Sequence, residues 1–529
     1  MINLTKLFSA QKPNQPTTSD ELLSEGEEAK DLSSSLASNY ETFKKTFQDS
    51  IDFTQSYIKV GGQNGFACYL DSMIDSKQLA EKIVEPLGNS IKEQENITDQ
   101  ASFNEFRETY FTSIPYEFVS KEHDAVWYLL SGYILLVVEG VNVALALKVF
   151  DIQFRGITEP STQTIIRGPK DSFTESMETN VSLIRRRIKN PHLRFESSII
   201  GKDSQTTVVI GYIDGITNSK LIEEIRKRIN KIDTSYILDS GNIDEFITDK
   251  SLTVFPLLYN TERPDSACAN LLEGKVIIIV DGSPFVLVAP VVFTDFFQSS
   301  EDYYQPFVMG SFIRFIRYIS FMIALIFPSL YVAISTFHHE LLPTPLLISV
   351  QAQREGVPFP AVVEILLMEF TFEVLREAGV RMPRAVGQTV SIVGALVIGQ
   401  AAVEAGLVSN VLVIVVAFTA IASFVSPIYN FSISTRLLRF VVILCAAVFG
   451  LFGVLVFLVV MVIHLASLRS FGVAYLAPVA PLIMEDQTDV FIRFPTWANK
   501  KRPTYLNPKG PYRQKTNQSP SPPTKGEDS

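Results

Sequence analysis

Tyr318 to Phe337, YISFMIALIFPSLYVAISTF, is a run of 20 residues without one charged side chain. As a helix it would be about 30 Å long, the thickness of a bilayer's hydrocarbon layer. Val386–Val403 and Leu407–Val425 are runs of the same kind, and Phe440–Leu465 is a fourth, 26 residues whose one ionisable side chain is His464. Four such runs in one chain predict an integral membrane protein. They all follow residue 317, so the 47% hydrophobic content of the 529 residues is concentrated in the second half. The first 310 residues read as a water-soluble mixture.

That soluble part repeats itself. YLDSMIDSKQLAEKI, from Tyr69, sets a short apolar strand before an acid, a turn and an amphipathic helix, and YIDGITNSKLIEEIRKRI, from Tyr212, follows the same plan. GYILLVVEGVNVALALKVF and GKVIIIVDGSPFVLVAPVVF each read as strand, Glu-Gly or Asp-Gly turn, strand. Asp71 and Asp214 lie 143 residues apart, Gly140 and Gly282 142 apart, so one offset carries both features. The expected fold class is therefore a mixed α+β and α-helical membrane protein. A duplicated two-lobe α/β cytoplasmic domain precedes a polytopic transmembrane helical domain.

Composition sets the boundaries. A flexible polar lead is expected over residues 1–50, the first lobe over 51–155, a linker with one helix over 156–198 and the second lobe over 199–310. The transmembrane domain follows over 311–485, then a basic Pro-rich tail over 486–529 that reads as disordered from Trp497 on. The linker helix is expected from about Thr174 to Lys189, with Ser172 and Glu175 as a capping box. Arg185, Arg186 and Arg187 near its end complement the helix dipole. Two readings stand for them, a solvated linking helix and a contact site for a partner subunit or small ligand.

Arg314 and Arg317, one helical turn apart beside Phe312 and Phe315, read as anchors at the headgroup level on the cytoplasmic side. The segment Pro358–Pro383, PFPAVVEILLMEFTFEVLREAGVRMP, is harder, being apolar yet acidic. Prolines before and Gly379 with Pro383 after predict a helix over Ala361–Ala378. At 100° per residue Val362, Leu366, Glu369, Glu373 and Glu377 gather on one side with Arg376, while Glu364 points away and needs its own partner. A charge facing lipid is costly, so such residues face protein or water. The stripe can line a wet path, with Val362 and Leu366 as an apolar constriction. Alternatively, the helix lies flat at the interface with its acids in water. Keeping the basic residues on one side favours a crossing, and then the short segment Phe471–Ile483 has to return the tail to the cytoplasm.

Several chemistries find no support. There is no GxxxxGK[ST] and no GxGxxG after a strand, and the adjacent His338 and His339 of FHHE diverge on any regular element. Asp71 and Asp214 recur before helices, which favours turn or cap roles over catalysis. Cys68, Cys268 and Cys445 form neither a disulfide framework nor a metal cluster. No enzyme, cofactor or metal is expected. A net charge of −10 without a dense basic patch argues against nucleic acid. The start lacks an apolar core, so no cleavable signal is expected and the lobes should stay cytoplasmic.

The segments RGPKDSFTESMETNVSLIRRRIKNPHLRFE, FHHELLPTPLLISVQAQREGVPFPAVVEILLMEFTFEVLREAGVRMP and GQAAVEAGLVS closely resemble the A subunit of the GerA-type spore germinant receptors, over about Ser50 to Trp497. That resemblance implies residence in the inner spore membrane beside a transporter-like B subunit and a lipoprotein C subunit. It implies a homo-oligomer that forms a nutrient-gated path for monovalent cations and starts germination. Carried over by position, Val362 would stand at the narrow point with Glu369 and Glu373 nearby. The alternative is a non-conducting scaffold or signalling subunit that couples a nutrient-binding partner to downstream germination proteins. A secondary transporter would repeat its membrane halves, whereas here the soluble lobes are what repeat.

Overall fold

Two five-stranded antiparallel sheets carry the soluble part, and they share one topology. In the first, β1 (Phe53–Val60), β2 (Gln63–Leu70), β3 (Tyr116–Val119), β4 (Tyr133–Val138) and β5 (Ala144–Lys148) lie in the order β1-β2-β4-β5-β3. In the second, β6 (Leu193–Ile200), β7 (Thr206–Ile213), β8 (Tyr259–Thr261), β9 (Val276–Val280) and β10 (Val286–Ala289) lie in the order β6-β7-β9-β10-β8. Strand for strand these orders are the same. The computed structural model describes residues 30–48, 50–91, 97–112, 114–149, 159–382, 397–515, 518 and 520. They divide into two units, one built before Phe154 together with Lys189–Pro191, the other from Phe154–Ile188 and His192 onward.

In the first unit both faces of the sheet are covered. Ile134, Leu136 and Val138 of β4 meet Phe103 and Phe106 on one side, and Leu135 and Val137 meet Phe43 and Phe66 on the other. A strand buried on both faces reads as a continuous apolar run, which is what YILLVV is. The helix Leu36–Thr46 supplies Phe43, and Phe47 follows it; both are buried. The second half of the expected flexible lead is therefore folded. Its buried apolar residues are Leu32, Leu36, Phe43 and Phe47 in a polar segment, too sparse to register in composition.

The second unit repeats this plan. Val208 and Ile210 of β7 face Ile225 and Ile229 of the helix Ser219–Asn230, while Val209 and Ile213 share a core with Leu183 and Ile184 of the helix Met177–Arg187. That helix, expected in a linker, thus occupies the place before β6 that Leu36–Thr46 holds before β1. Its cap is Ser176, whose side chain accepts from Thr179 N, not Ser172. Residues 159–172 lie along β8, where Glu262 accepts from Ser161, Thr162 and Gln163 and Arg263 donates to the Gln163 and Pro169 carbonyls.

The repeated turn chemistry has clear reasons. Gly140 and Gly282 sit at φ 85° and 87°, a backbone region that penalises any Cβ. Asp71 and Asp214 serve turns, and the helix caps are Asp75 and Asn218, four residues further on in each repeat. Cys68 and Cys268 are buried, and burial pushes the Cys268 thiol up to about 12, so these thiols are inert packing groups.

From Phe307 to Ser467 the described residues are mainly helical. Phe307–Thr336 and Tyr429–Ser467 are long and apolar enough to cross a membrane, and Asn410–Phe424 is a shorter apolar helix. The acidic helix runs Ala361–Arg381, three residues beyond its expected end. Of Val386–Val403 only residues 397–403 are described, and they are helical; Pro383, expected to stop the acidic helix, lies outside the described residues. Tyr429–Ser467 is not one rod. Gly450, at φ 62° and ψ −142°, interrupts it. The Phe255 ring lies 6.4 Å from Phe431 and 6.3 Å from His464, residues that a straight helix would hold about 50 Å apart. The element is a hairpin of two helical limbs, its tip beside His338 and Phe337 at the end of Phe307–Thr336.

That reversal corrects the expected path of the C-terminal region. Phe440–Leu465 does not run on to the far side, because its second limb returns to the second sheet. Phe471–Ile483 has no return to make: Tyr475 donates from its hydroxyl to the Pro256 carbonyl, and its own carbonyl accepts from Phe293 N. The tail expected to be disordered from Trp497 is docked through residue 513. Arg502 donates to the Leu272, Gly510 and Tyr512 carbonyls, Lys509 N to the Ile216 carbonyl, and Arg513 pairs with Glu273 at 2.9 Å. Fixed carbonyls hold this basic, Pro-rich segment, and composition does not reveal them.

Candidate site: a buried ladder of glutamates and arginines

The acids of the acidic helix face arginines. Glu369 Oε2 accepts from Arg439 Nη1 at 2.6 Å, with both side chains at most 1% exposed. Arg439 also donates from Nε to the Ala324 carbonyl at 2.7 Å. One turn further on, Glu373 Oε2 accepts from Arg436 Nη1 at 2.9 Å and its Oε1 from Arg376 Nη1 at 3.3 Å. Arg376 donates to Ser423 Oγ at 2.8 Å and lies over the rings of Phe372 and Phe424. Glu364 finds its separate partners in Arg354, at 3.4 Å, and Ser409 N, at 3.2 Å.

The pairing follows from spacing. Glu369 and Glu373 are one turn apart on the acidic helix, and Arg436 and Arg439 are about one turn apart on the first limb of the hairpin. Running the helices antiparallel sets 369 against 439 and 373 against 436. Sequence reasoning grouped the acids correctly on one side but read the arginines only as a topology marker. The matching spacing was the available signal.

The four residues expected to line a path therefore do not line an open one within a single chain. Val362 and Leu366 are half-buried against the apolar core, Glu369 is fully buried and Glu373 is partly exposed. The exposed face of this helix is Val363, Leu367, Phe370 and Val374.

Arg314 and Arg317 also depart from expectation. They are 0% and 7% exposed and make protein contacts instead of facing headgroups. Arg317 holds Asp302 through both carboxylate oxygens at 2.7 Å, and Arg314 holds Asp489 Oδ1 at 2.8 Å. Arg493 completes the knot by donating to the Asp302 and Gln305 carbonyls. Acids from the segment after the second sheet and from the C-terminal segment neutralise these arginines, so the first apolar helix, the sheet and the tail are tied at one point. Asp302→Ala strands the buried Arg317 guanidinium, while Arg314 keeps Asp489, and is expected to cost about 3–5 kcal/mol, read as a lowered Tm of the purified full-length chain.

The three linker arginines separate. Arg185 is buried with its guanidinium 5.0 Å from the Phe195 ring, Arg187 grips both oxygens of Asp171 at 2.6 Å, and Arg186 is the exposed one.

The family described as Bacillus/Clostridium GerA spore germination protein matches residues 41–505. Spore germination protein KA of Bacillus subtilis (strain 168) is 45% identical over 497 residues, covering 93% of this chain and 90% of the relative. Spore germination protein GerLA of Bacillus cereus is 44% identical over 386 residues, covering 73% of this chain and 78% of the relative. An uncharacterized membrane protein YfkQ of Bacillus subtilis (strain 168) is 40% identical over 494 residues, covering 93% of this chain and 95% of the relative. Among solved structures, the N-terminal domain of the A subunit of the Bacillus megaterium spore germinant receptor GerK3 is similar at 33% identity and a TM-score of 0.40, covering 50% of this chain and 99% of that one. This chain belongs to the GerA family of spore germination proteins, as the A-subunit kind of germinant-receptor polypeptide.

Proposed function

We propose that this chain is the A subunit of a nutrient-sensing germinant receptor in the inner spore membrane, multi-pass, with both lobes in the cytoplasm. It acts beside a transporter-like B subunit and a lipoprotein C subunit. Copies of it assemble around an axis to form a nutrient-gated path for monovalent cations, whose opening starts germination. The observation that carries this reading is the glutamate–arginine ladder buried among apolar helices, next to an uncovered apolar face of the same helix. Charged groups are expensive at membrane depth and are kept there mainly for function. Val363, Leu367, Phe370 and Val374 offer a surface for neighbouring copies.

On this reading the ladder is the closed state. Arg436 and Arg439 neutralise Glu373 and Glu369, so no carboxylate row attracts cations until the helices shift. Val362 and Leu366 then form the narrow apolar ring on the preceding turns. In liposomes of the reconstituted full-length chain, Val362→Ala is expected to raise basal potassium flux at least several-fold over the parent chain. Properly inserted Val362→Ala protein that conducts no cation sinks the channel reading.

The non-conducting scaffold is the second reading, and the pairing of Glu369 with Arg439 is what favours it. A scaffold would show no flux in any variant yet would still retain its partner subunits through the uncovered face.

A further inference from the structure

The ladder does not balance. Arg376, Arg436 and Arg439 meet two carboxylates, Glu369 and Glu373, which leaves one positive charge over among apolar helices. Glu377 is paired with Arg381 at 2.6 Å, Glu364 with Arg354, and Glu404 accepts from Gln400. Residues 383–396 contain no acid at all. The surplus falls on Arg376, which shares Glu373 with Arg436. Its side chain is 9% exposed, and its Nε has no hydrogen-bond partner among the described residues.

Arg376 also lines a cleft of about 540 Å³ between the acidic helix and Asn410–Phe424. Met368, Phe372, Val413, Val416, Ile421 and Phe424 form most of its wall, and besides Arg376 the one polar side chain there among the described residues is Thr371, whose hydroxyl donates to the Leu367 carbonyl. That volume lies in the usual range for small-ligand sites, about 300–1,000 Å³. The two ends differ in position as well. Near Arg376, Ser423 O accepts from Ser432, and Ser434 Oγ donates to the Val254 carbonyl beside the second sheet. The end at Met368 and Val413 lies toward the opposite node, where Glu364 meets Ser409 N.

We propose that this cleft holds one anionic phospholipid of the leaflet on the lobe side. Its phosphate sits at Arg376 and supplies the missing negative charge, and an acyl chain extends along Phe372, Val416 and Met368 toward the bilayer centre. A charge-assisted contact from a guanidinium to a phosphate is short and strong, and the surrounding apolar walls exclude the water that would weaken it. A zwitterionic lipid fits the apolar walls equally well but leaves the net charge unchanged. The proposal rests on the helices spanning a bilayer.

The test uses the full-length chain in phosphatidylcholine vesicles doped with phosphatidylglycerol, followed by mild detergent extraction and native mass spectrometry. The parent chain is expected to retain about one phosphatidylglycerol per chain and to prefer it over phosphatidylcholine roughly tenfold. Arg376→Gln should lose that preference and Arg376→Lys should keep much of it. Ala417→Trp, which fills the cleft without touching the charge, should lose the lipid with Arg376 intact. Equal retention in Arg376→Gln, equal retention of phosphatidylcholine, or no lipid retained by the parent chain overturns the proposal. Failure of the parent chain to float with the vesicles would instead overturn the membrane reading beneath it.

Discussion

Gly450→Val is expected to remove most of the folded subunit from the membrane fraction. A non-glycine residue held at φ 62° and ψ −142° costs of order 1–3 kcal/mol in backbone strain alone. The added Cβ would also fall 2.7 Å from His338 Cε1 and 3.1 Å from Phe337 Cβ, so the hairpin tip has nowhere to move. Gly356→Ala is the control, since a Cβ there meets nothing within 4 Å, and it should leave the Tm within a few degrees of the parent. Comparing membrane-fraction yield and Tm of the two variants checks the reversal directly. A continuous 39-residue helix would instead tolerate Gly450→Val with little loss, because glycine inside a helix is a weak point and not a requirement.

Glu369→Ala is the second substitution with a large expected effect. It leaves Arg439 buried with only the Ala324 carbonyl as acceptor, and uncompensated buried charges typically cost about 3–5 kcal/mol. Glu377→Ala, by contrast, removes an exposed intrahelical pair with Arg381 and should cost well under about 1 kcal/mol. If the acids of this helix all simply faced water, the two substitutions would behave alike. Thermal unfolding of the purified variants separates the cases.

The contrast between Glu369 and Glu377 also marks how far the sequence could be read. The duplication was legible because strand, turn and strand recur at one offset, and the turn glycines recur with them. The hydrophobic period placed Glu369 and Glu373 on one side of a helix correctly. Whether that side meets water or arginine is decided by a partner helix some 60 residues away, and local spacing carries no such information. The hairpin was hidden for another reason. Residues on both sides of Gly450 are equally apolar, so hydropathy sees one span where the backbone makes two limbs. The docked tail escaped notice because its anchors, the Leu272 and Ile216 carbonyls and the Glu273 carboxylate, lie far back along the chain and leave no local trace in composition. Arg314 and Arg317 carry the signature of interface anchors, and only Asp302 and Asp489, one close by and one far along the chain, turn them inward.

Reversing one interhelical pair probes the whole arrangement. Glu369→Arg alone and Arg439→Glu alone should each abolish accumulation of the folded chain in the membrane fraction. The two together restore opposite charges across the same 2.6 Å contact and are expected to recover much of the subunit level. A double variant no better than either single one would mean that these two side chains do not hold the helices together, and the closed-ladder reading would fall with them.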